Sequence, residues 1–158
     1  MIKLLPALII LFSAALPRPA SGLELSEAGI SLEDFRWKNR LVVLTAPSPD
    51  DPSLKKQLEL FRDENEGLRE RDLRIIRILK EGQSFVDSSA LHPESARNIL
   101  KAAGLDTESF TFTLFGKDGT PKLSSPTPVP AEKLYSIIDR MPMRRREILE
   151  RMNQPQGE

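Results

Sequence analysis

The sequence contains no cysteine, which excludes disulfide cross-links and every reaction that needs a thiolate. It has a single histidine, His92, so no second imidazole or thiolate can complete a metal site of the zinc type. Neither sign of charge dominates, because 23 basic residues stand against 23 acidic ones, and no overall field draws the chain to nucleic acid. The composition therefore indicates a fold that is stabilised by packing and that performs no thiol chemistry.

The first 22 residues have the organisation of a cleavable signal peptide. Lys3 precedes an apolar stretch over residues 4–16, and the small residues Ala20 and Gly22 follow it. This stretch is shorter than the roughly 20 apolar residues that a membrane-spanning helix needs. We therefore expect a signal peptide at residues 1–22 and an exported protein, periplasmic or secreted, without a stable membrane anchor.

The rest of the chain fits one domain with one core. We expect this domain to occupy residues 23–152 and a disordered tail to occupy residues 153–158. Removal of the signal peptide would leave two more acidic than basic residues, so the expected mature protein is nearly neutral.

A continuous apolar run at residues 41–44 is typical of a strand that is buried on both faces. Prolines end this strand, and Asp50, Asp51 and Pro52 then predict the start of a helix. Strand ends beside a helix N-terminus are common places for ligand binding in α/β folds. We therefore take Ser48, Asp50 and Asp51 as candidate binding residues.

Hydrophobic periodicity and turn residues predict the remaining elements. Trp37 is expected to pack against the first strand, and the arginines within the second strand indicate that it is not fully enclosed. In chain order we expect a helix over residues 52–69, a strand over 72–79, a polar loop over 80–91, a helix from His92 to Gly104, a hairpin with strands at 110–115 and 122–124, and a helix that ends or kinks at Pro142 before a basic, amphipathic tail.

This pattern has the order β-α-β-α-β-β-α. Two crossovers and one hairpin require a mixed sheet of about four strands with helices on both faces, which is the thioredoxin-like order. Residues 41–47, followed by a helix, resemble the thioredoxin strand that leads into its Cys-x-x-Cys loop, and residues 115–119 resemble the thioredoxin hairpin. The resemblance implies an α/β, thioredoxin-like fold.

This resemblance also places residues of the chain at the thioredoxin active site. Pro49 and Pro52 stand near the positions of the two cysteines, and Thr111 stands near the position of the cis-proline that faces them. A thioredoxin, a disulfide isomerase or a thiol peroxidase needs at least one thiolate. The resemblance therefore implies a redox-inactive fold and adds Thr111 to the candidate binding residues.

Three segments carry a more specific resemblance, namely residues 32–40, the Gly-Lys-Asp-Gly sequence at 116–119, and residues 139–147. They resemble a bacterial exported family of unknown function. Its thioredoxin-like domain, the DUDES-type domain, also occurs in secreted vertebrate matrix proteins. The resemblance covers residues 32–147 and implies a module without redox cysteines.

The functional hypothesis is that the protein is a binding or structural module and not an enzyme. It would bind through the surface that corresponds to the thioredoxin active site, or through the arginine cluster Arg144, Arg145 and Arg146. Its partner would be another envelope or extracellular protein, and no cofactor and no nucleic acid are expected. The alternative is a metal-dependent or other non-thiol enzyme that uses the loop Ser48–Ser53. For the arginines, the simpler interpretation is ion pairing with Glu147 and Glu150, and the alternative is recognition of an anionic partner.

Overall fold

The computed structural model describes residues 29–153, so the predicted signal peptide and the tail beyond Asn153 lie outside the described residues. A single sheet of six strands runs through this region. In chain order the elements are a 3₁₀ helix at Leu32–Phe35, β1 at Arg40–Ala46, α1 at Pro52–Leu60, α2 at Asn65–Glu70, β2 at Leu73–Leu79, β3 at Phe85–Val86, β4 at Ser89–Ala90, α3 at Pro93–Ala103, β5 at Thr111–Phe115, β6 at Pro121–Ser125, α4 at Ala131–Ile138 and α5 at Pro142–Met152.

The strands lie in the order β4-β3-β2-β1-β5-β6. β1 is parallel to β2 and antiparallel to β5, so the sheet is mixed, as predicted. All seven residues of β1 are buried, which confirms that it is an enclosed central strand. β6 is an edge strand and begins at Pro121, which cannot donate a hydrogen bond to a further strand.

Helices cover both faces of the sheet. Val42 and Leu44 point to one face, where they pack in a core with Leu54 of α1 and Leu134 of α4. The alternate residues of β1 point to the other face, where the core includes Ile99 of α3. This alternation follows from the period of two along a strand, and it confirms the predicted α/β layering.

The prediction of about four strands and one continuous first helix is wrong in detail. The predicted polar loop over residues 80–91 contains the hairpin of β3 and β4, whose two-residue strands are too short to give a sequence pattern. The predicted helix over residues 52–69 is divided into α1 and α2. Asp63 and Asn65, at the break, have low helix propensity because their side chains compete for backbone hydrogen bonds.

One prediction near the start of the domain also needs correction, and one near its end is confirmed. Trp37 does not pack against β1, because 60% of its surface is exposed and its φ angle is 64°, within the turn that follows the 3₁₀ helix. The predicted end of a helix before Pro142 is confirmed, because α4 ends at Ile138; Pro142 then occupies the first turn of α5, where its missing N–H is not needed. No helix among residues 29–153 combines the length and apolarity that crossing a bilayer requires.

Candidate functional site

The loop at the carboxyl end of β1 has local partners for its candidate residues. Asp51 caps α1, because its Oδ1 accepts a hydrogen bond of 2.9 Å from the backbone N–H of Leu54. Asp50 Oδ1 lies 2.7 Å from Lys55 Nζ, and this hydrogen bond, together with the positive charge, lowers the pKa of Asp50. Ser48 Oγ accepts a hydrogen bond from the Asp50 N–H at 3.3 Å. The loop is thus organised by its own contacts.

Thr111 lies at the same end of the sheet as this loop. It is half-buried and stands opposite Thr45 in the antiparallel register of β1 and β5. The structure therefore brings Thr111 to the end of β1 from which Ser48, Asp50 and Asp51 follow. Across residues 29–153 there is no group of three or more histidine, aspartate or glutamate side chains that could hold a metal ion.

The arginines of α5 do not form one surface. Arg144 is only 1% exposed, and its Nη2 donates to Glu70 Oε1 at 2.6 Å while its Nε donates to Asp139 Oδ1 at 3.2 Å. Arg145 and Arg146 are exposed. Arg144 therefore anchors α5 to the domain and is not available to a partner.

Arg144 belongs to a larger cluster of ion pairs at the amino end of β1. Arg40, also 1% exposed, donates to both carboxylate oxygens of Glu147 at 3.1 and 3.2 Å. Lys117 Nζ lies 2.8 Å from Glu147 Oε1 and 2.8 Å from Asp72 Oδ2. Burial disfavours the charged form of Glu147, but the hydrogen bonds and charges of Arg40 and Lys117 outweigh it and hold the pKa of Glu147 below its usual range.

We call this set the amino-end ion cluster; its members are Arg40, Glu70, Arg71, Asp72, Lys117, Asp139, Arg144 and Glu147. All three segments that carry the specific resemblance, at residues 32–40, 116–119 and 139–147, contribute to it. The sequence predicted ion pairs with Glu147 and Glu150: Arg144 Nη1 does lie 3.7 Å from Glu147 Oε2, whereas Glu150 forms no ion pair among residues 29–153. Glu70 and Arg40 could not be predicted as members, because only the tertiary structure brings them to α5.

A groove that the sequence did not predict lies between β2 and the first two helices. It encloses about 630 Å³. Apolar side chains form its floor, and four arginines stand around it, two of them from β2. We call it the arginine groove; its floor is Leu58, Phe61, Leu68, Leu73 and Ile75, and its arginines are Arg62, Arg69, Arg74 and Arg77.

The arginines of this groove are not all neutralised. Arg74 Nε donates to the carboxylate of Asp87, and Arg77 Nη2 donates to the backbone carbonyl of Asp87 at 3.1 Å. Within the described region, Arg62 and Arg69 form no ion pair. The groove thus combines an apolar floor with three arginines that have no carboxylate partner among the described residues, and two of them, Arg62 and Arg69, are exposed. Arg74 and Arg77 were the sequence signal, because charged residues in a strand indicated an incompletely covered surface.

Comparison with known proteins gives a family and several partial relatives. The family described as "Domain of unknown function (DUF4174)" matches residues 31–147. Coiled-coil domain-containing protein 80 of Danio rerio is 26% identical over 74% of the chain and 15% of its own length. Sushi repeat-containing protein SRPX2 is 28% identical in Bos taurus and 25% identical in Homo sapiens, in each case over 82% of the chain and 28% of that protein.

The chain therefore spans between about one seventh and three tenths of the length of these curated relatives. Among solved structures, the reduced 2-Cys peroxiredoxin of Plasmodium vivax is similar with a TM-score of 0.48 and 13% identity. That similarity covers 78% of this chain and 85% of the peroxiredoxin chain.

Proposed function

Since this chain belongs to the DUF4174 family of domains of unknown function, we propose that it is a thioredoxin-like binding module that acts without thiol chemistry. The complete absence of cysteine supports this proposal, because disulfide exchange and thiol-based peroxide reduction both need a thiolate. The order of the principal elements, with a buried strand, a loop and a helix in succession, supports the thioredoxin-like arrangement. Binding is the use that we propose for such a surface.

The arginine groove is the observation that carries this proposal. Binding sites are commonly concave and largely apolar, with a few polar groups that fix the orientation of the ligand. The groove has this composition, whereas Asp50 and Asp51 are already used by Lys55 and by the start of α1. We therefore place the binding surface on the β2 side of the domain and not at the loop after β1.

The proposed setting is the periplasm or the exterior of the cell, and the proposed partner is another envelope or extracellular protein. The signal-peptide pattern of residues 1–22 supports this setting. Intact-mass measurement of envelope and culture-medium fractions tests it, because the exported protein should lack those residues. A protein that keeps them, or that stays in the cytoplasm, would contradict the proposed setting.

Two assays test the binding function. Insulin-disulfide reduction and peroxide consumption by the purified protein should equal the rates without protein, with an active thioredoxin and an active peroxidase as positive controls. Chemical cross-linking in the envelope should yield a partner that is lost in the Arg62→Glu, Arg69→Glu variant and kept in the Arg145→Glu, Arg146→Glu variant. Thiol-type activity that co-purifies with the protein would refute the proposal. Equal recovery of the partner with the wild type and with the Arg62→Glu, Arg69→Glu variant would refute it as well.

A further inference from the structure

We infer that the arginine groove binds an acidic segment of a partner protein that also carries apolar side chains. This inference rests on the proposed binding function and names the chemistry of its ligand. The segment would place carboxylates on Arg62 and Arg69 and would insert an apolar side chain between them and β2. Charge and shape of the groove carry the argument.

The charges of the groove favour carboxylate ligands. Four arginines are among the residues that line it, and its two aspartates are already paired, Asp87 with Arg74 and Asp72 with Lys117. Arg62 and Arg69 are exposed and have no such carboxylate within the described part of the chain. Because the planar guanidinium matches the geometry of a carboxylate, two further acidic side chains fit these positions.

The floor of the groove favours a polypeptide over a purely anionic polymer. Leu58 and Ile75 are only half-buried, and they adjoin the nearly enclosed Phe61, Leu68 and Leu73. A sulfated polysaccharide would pair with the arginines but would leave this apolar surface in contact with water. An apolar side chain of a peptide would cover it and gain about 25 cal/mol for each Å² removed from water.

Recognition should depend on side chains, because Asp87 closes the nearby edge of β2. Its N–H donates to the carbonyl of Ile75 at 2.7 Å, and its Oδ1 accepts from the Ile75 N–H at 2.9 Å. A peptide therefore cannot pair with Ile75 as an added strand. The side-chain pattern of the ligand, acidic and apolar together, must provide the specificity.

Selection from a displayed library of random twelve-residue peptides tests the inference without a known partner. The purified protein is the bait, and the Arg62→Glu, Arg69→Glu variant is the counter-selection. Peptides that are enriched on the wild type should contain both acidic residues and leucine, isoleucine or phenylalanine. Failure to enrich any peptide, or enrichment of basic or purely acidic peptides, would overturn the inference.

Fluorescence anisotropy with one enriched synthetic peptide then gives the size of the effect. We expect Arg62→Glu, Arg69→Glu to weaken binding at least tenfold, and Leu58→Ser to weaken it several-fold. The matched control Arg145→Glu, Arg146→Glu, which makes the same charge change on α5, should change affinity less than twofold. Thermal unfolding of each variant shows whether the fold is intact.

Two arms separate this inference from the function on which it rests. Replacing every acidic residue of the peptide by its amide should abolish binding. Heparin should compete with the peptide only weakly for the wild-type protein, and the binding of heparin itself is then compared between the wild type and Leu58→Ser. Heparin binding that is strong and unaffected by Leu58→Ser would overturn the peptide as ligand. If cross-linking of an envelope partner still depends on Arg62 and Arg69 in that case, the binding function stands and only the ligand class falls.

Discussion

The ion pairs at the two ends of β1 differ in burial and in the distance along the chain between their partners. At the amino end, the enclosed Arg40 pairs with Glu147, which lies 107 residues away in the chain. At the carboxyl end, Asp50 pairs with Lys55 five residues away, and their side chains are 85% and 60% exposed. Removing one partner of a buried ion pair lowers the free energy of unfolding strongly, whereas an exposed ion pair contributes little to it. Removing a charge at the amino end should therefore lower stability more than removing one at the carboxyl end.

Glu147→Ala should give the largest change. It would leave Arg40 and Lys117 enclosed without their common carboxylate, and breaking a buried ion pair costs about 3 kcal/mol or more. Urea unfolding measures the loss in the free energy of unfolding. Glu150→Ala, on the exposed side of the same helix, is the control and should change it by less than about 0.5 kcal/mol. Equal effects of the two changes would contradict the importance of the amino-end ion cluster.

Arg144→Met should come next, with a loss of about 2 kcal/mol. Its partners Glu70 and Asp139 are partly exposed, so water can replace part of the lost interaction, unlike the situation around Arg40. Arg145→Met, one residue further along the same helix and exposed, is the matched control. If the two variants unfold at the same urea concentration, Arg144 does not anchor α5.

Acid should weaken the amino end more than it affects the loop. Burial disfavours the charged forms of Asp139 and Glu147, but hydrogen bonds and charges outweigh it: Arg71 and Arg144 lower the pKa of Asp139, and Arg40 and Lys117 lower the pKa of Glu147. A carboxyl whose folded pKa is lowered contributes stability above its unfolded value of about 4, and this is lost as the pH falls through the folded pKa. We expect the free energy of unfolding to decline below about pH 5.

Glu147→Gln provides the control for this pH dependence. It removes one titrating carboxyl from the amino-end ion cluster, so the decline in stability with acid should be shallower than in the wild type. Unfolding in urea at a series of pH values between 3 and 7 measures both slopes. Parallel slopes would show that Glu147 does not contribute to the acid sensitivity.

The smallest effects belong to the carboxyl end. Asp51→Ala removes the cap of α1 and should lower the free energy of unfolding by about 1 kcal/mol. Asp50→Ala, at the adjacent position, removes only a solvent-exposed pair and should produce no measurable change. Thermal unfolding of the two variants side by side tests this difference, and a larger effect of Asp50→Ala would reverse the roles assigned to these residues.

Sequence reasoning worked where structure is local. The buried strand β1, the cap at the start of α1 and the left-handed Gly104 at the end of α3 each follow from a few adjacent residues. It failed where partners are distant. Nothing in the sequence around Arg144 indicates Glu70, and nothing around Arg69 indicates that it would share a groove with Arg74.

The candidate site shows the same limit in another form. The sequence placed it at the loop after β1, because a strand end beside a helix start is visible in the chain. The arginine groove combines residues of α1, α2 and β2 with the turn after β3, so its charges come together only in the folded domain. Arg74 and Arg77 indicated an exposed surface on β2, but nothing in the sequence indicated that Arg62 and Arg69 would lie beside it.

The distance along the chain between Arg40 and Glu147 also affects when β1 can be buried during synthesis. Ribosomes add about 5–20 residues per second, so Glu147 is added roughly 5–20 s after Arg40. Until then Arg40 lacks the carboxylate with which it pairs in the folded domain, and burying a charge without a partner costs free energy. Strand β1 can therefore become the enclosed centre of the sheet only when nearly the whole domain has been made, which favours folding after synthesis over stepwise folding during it.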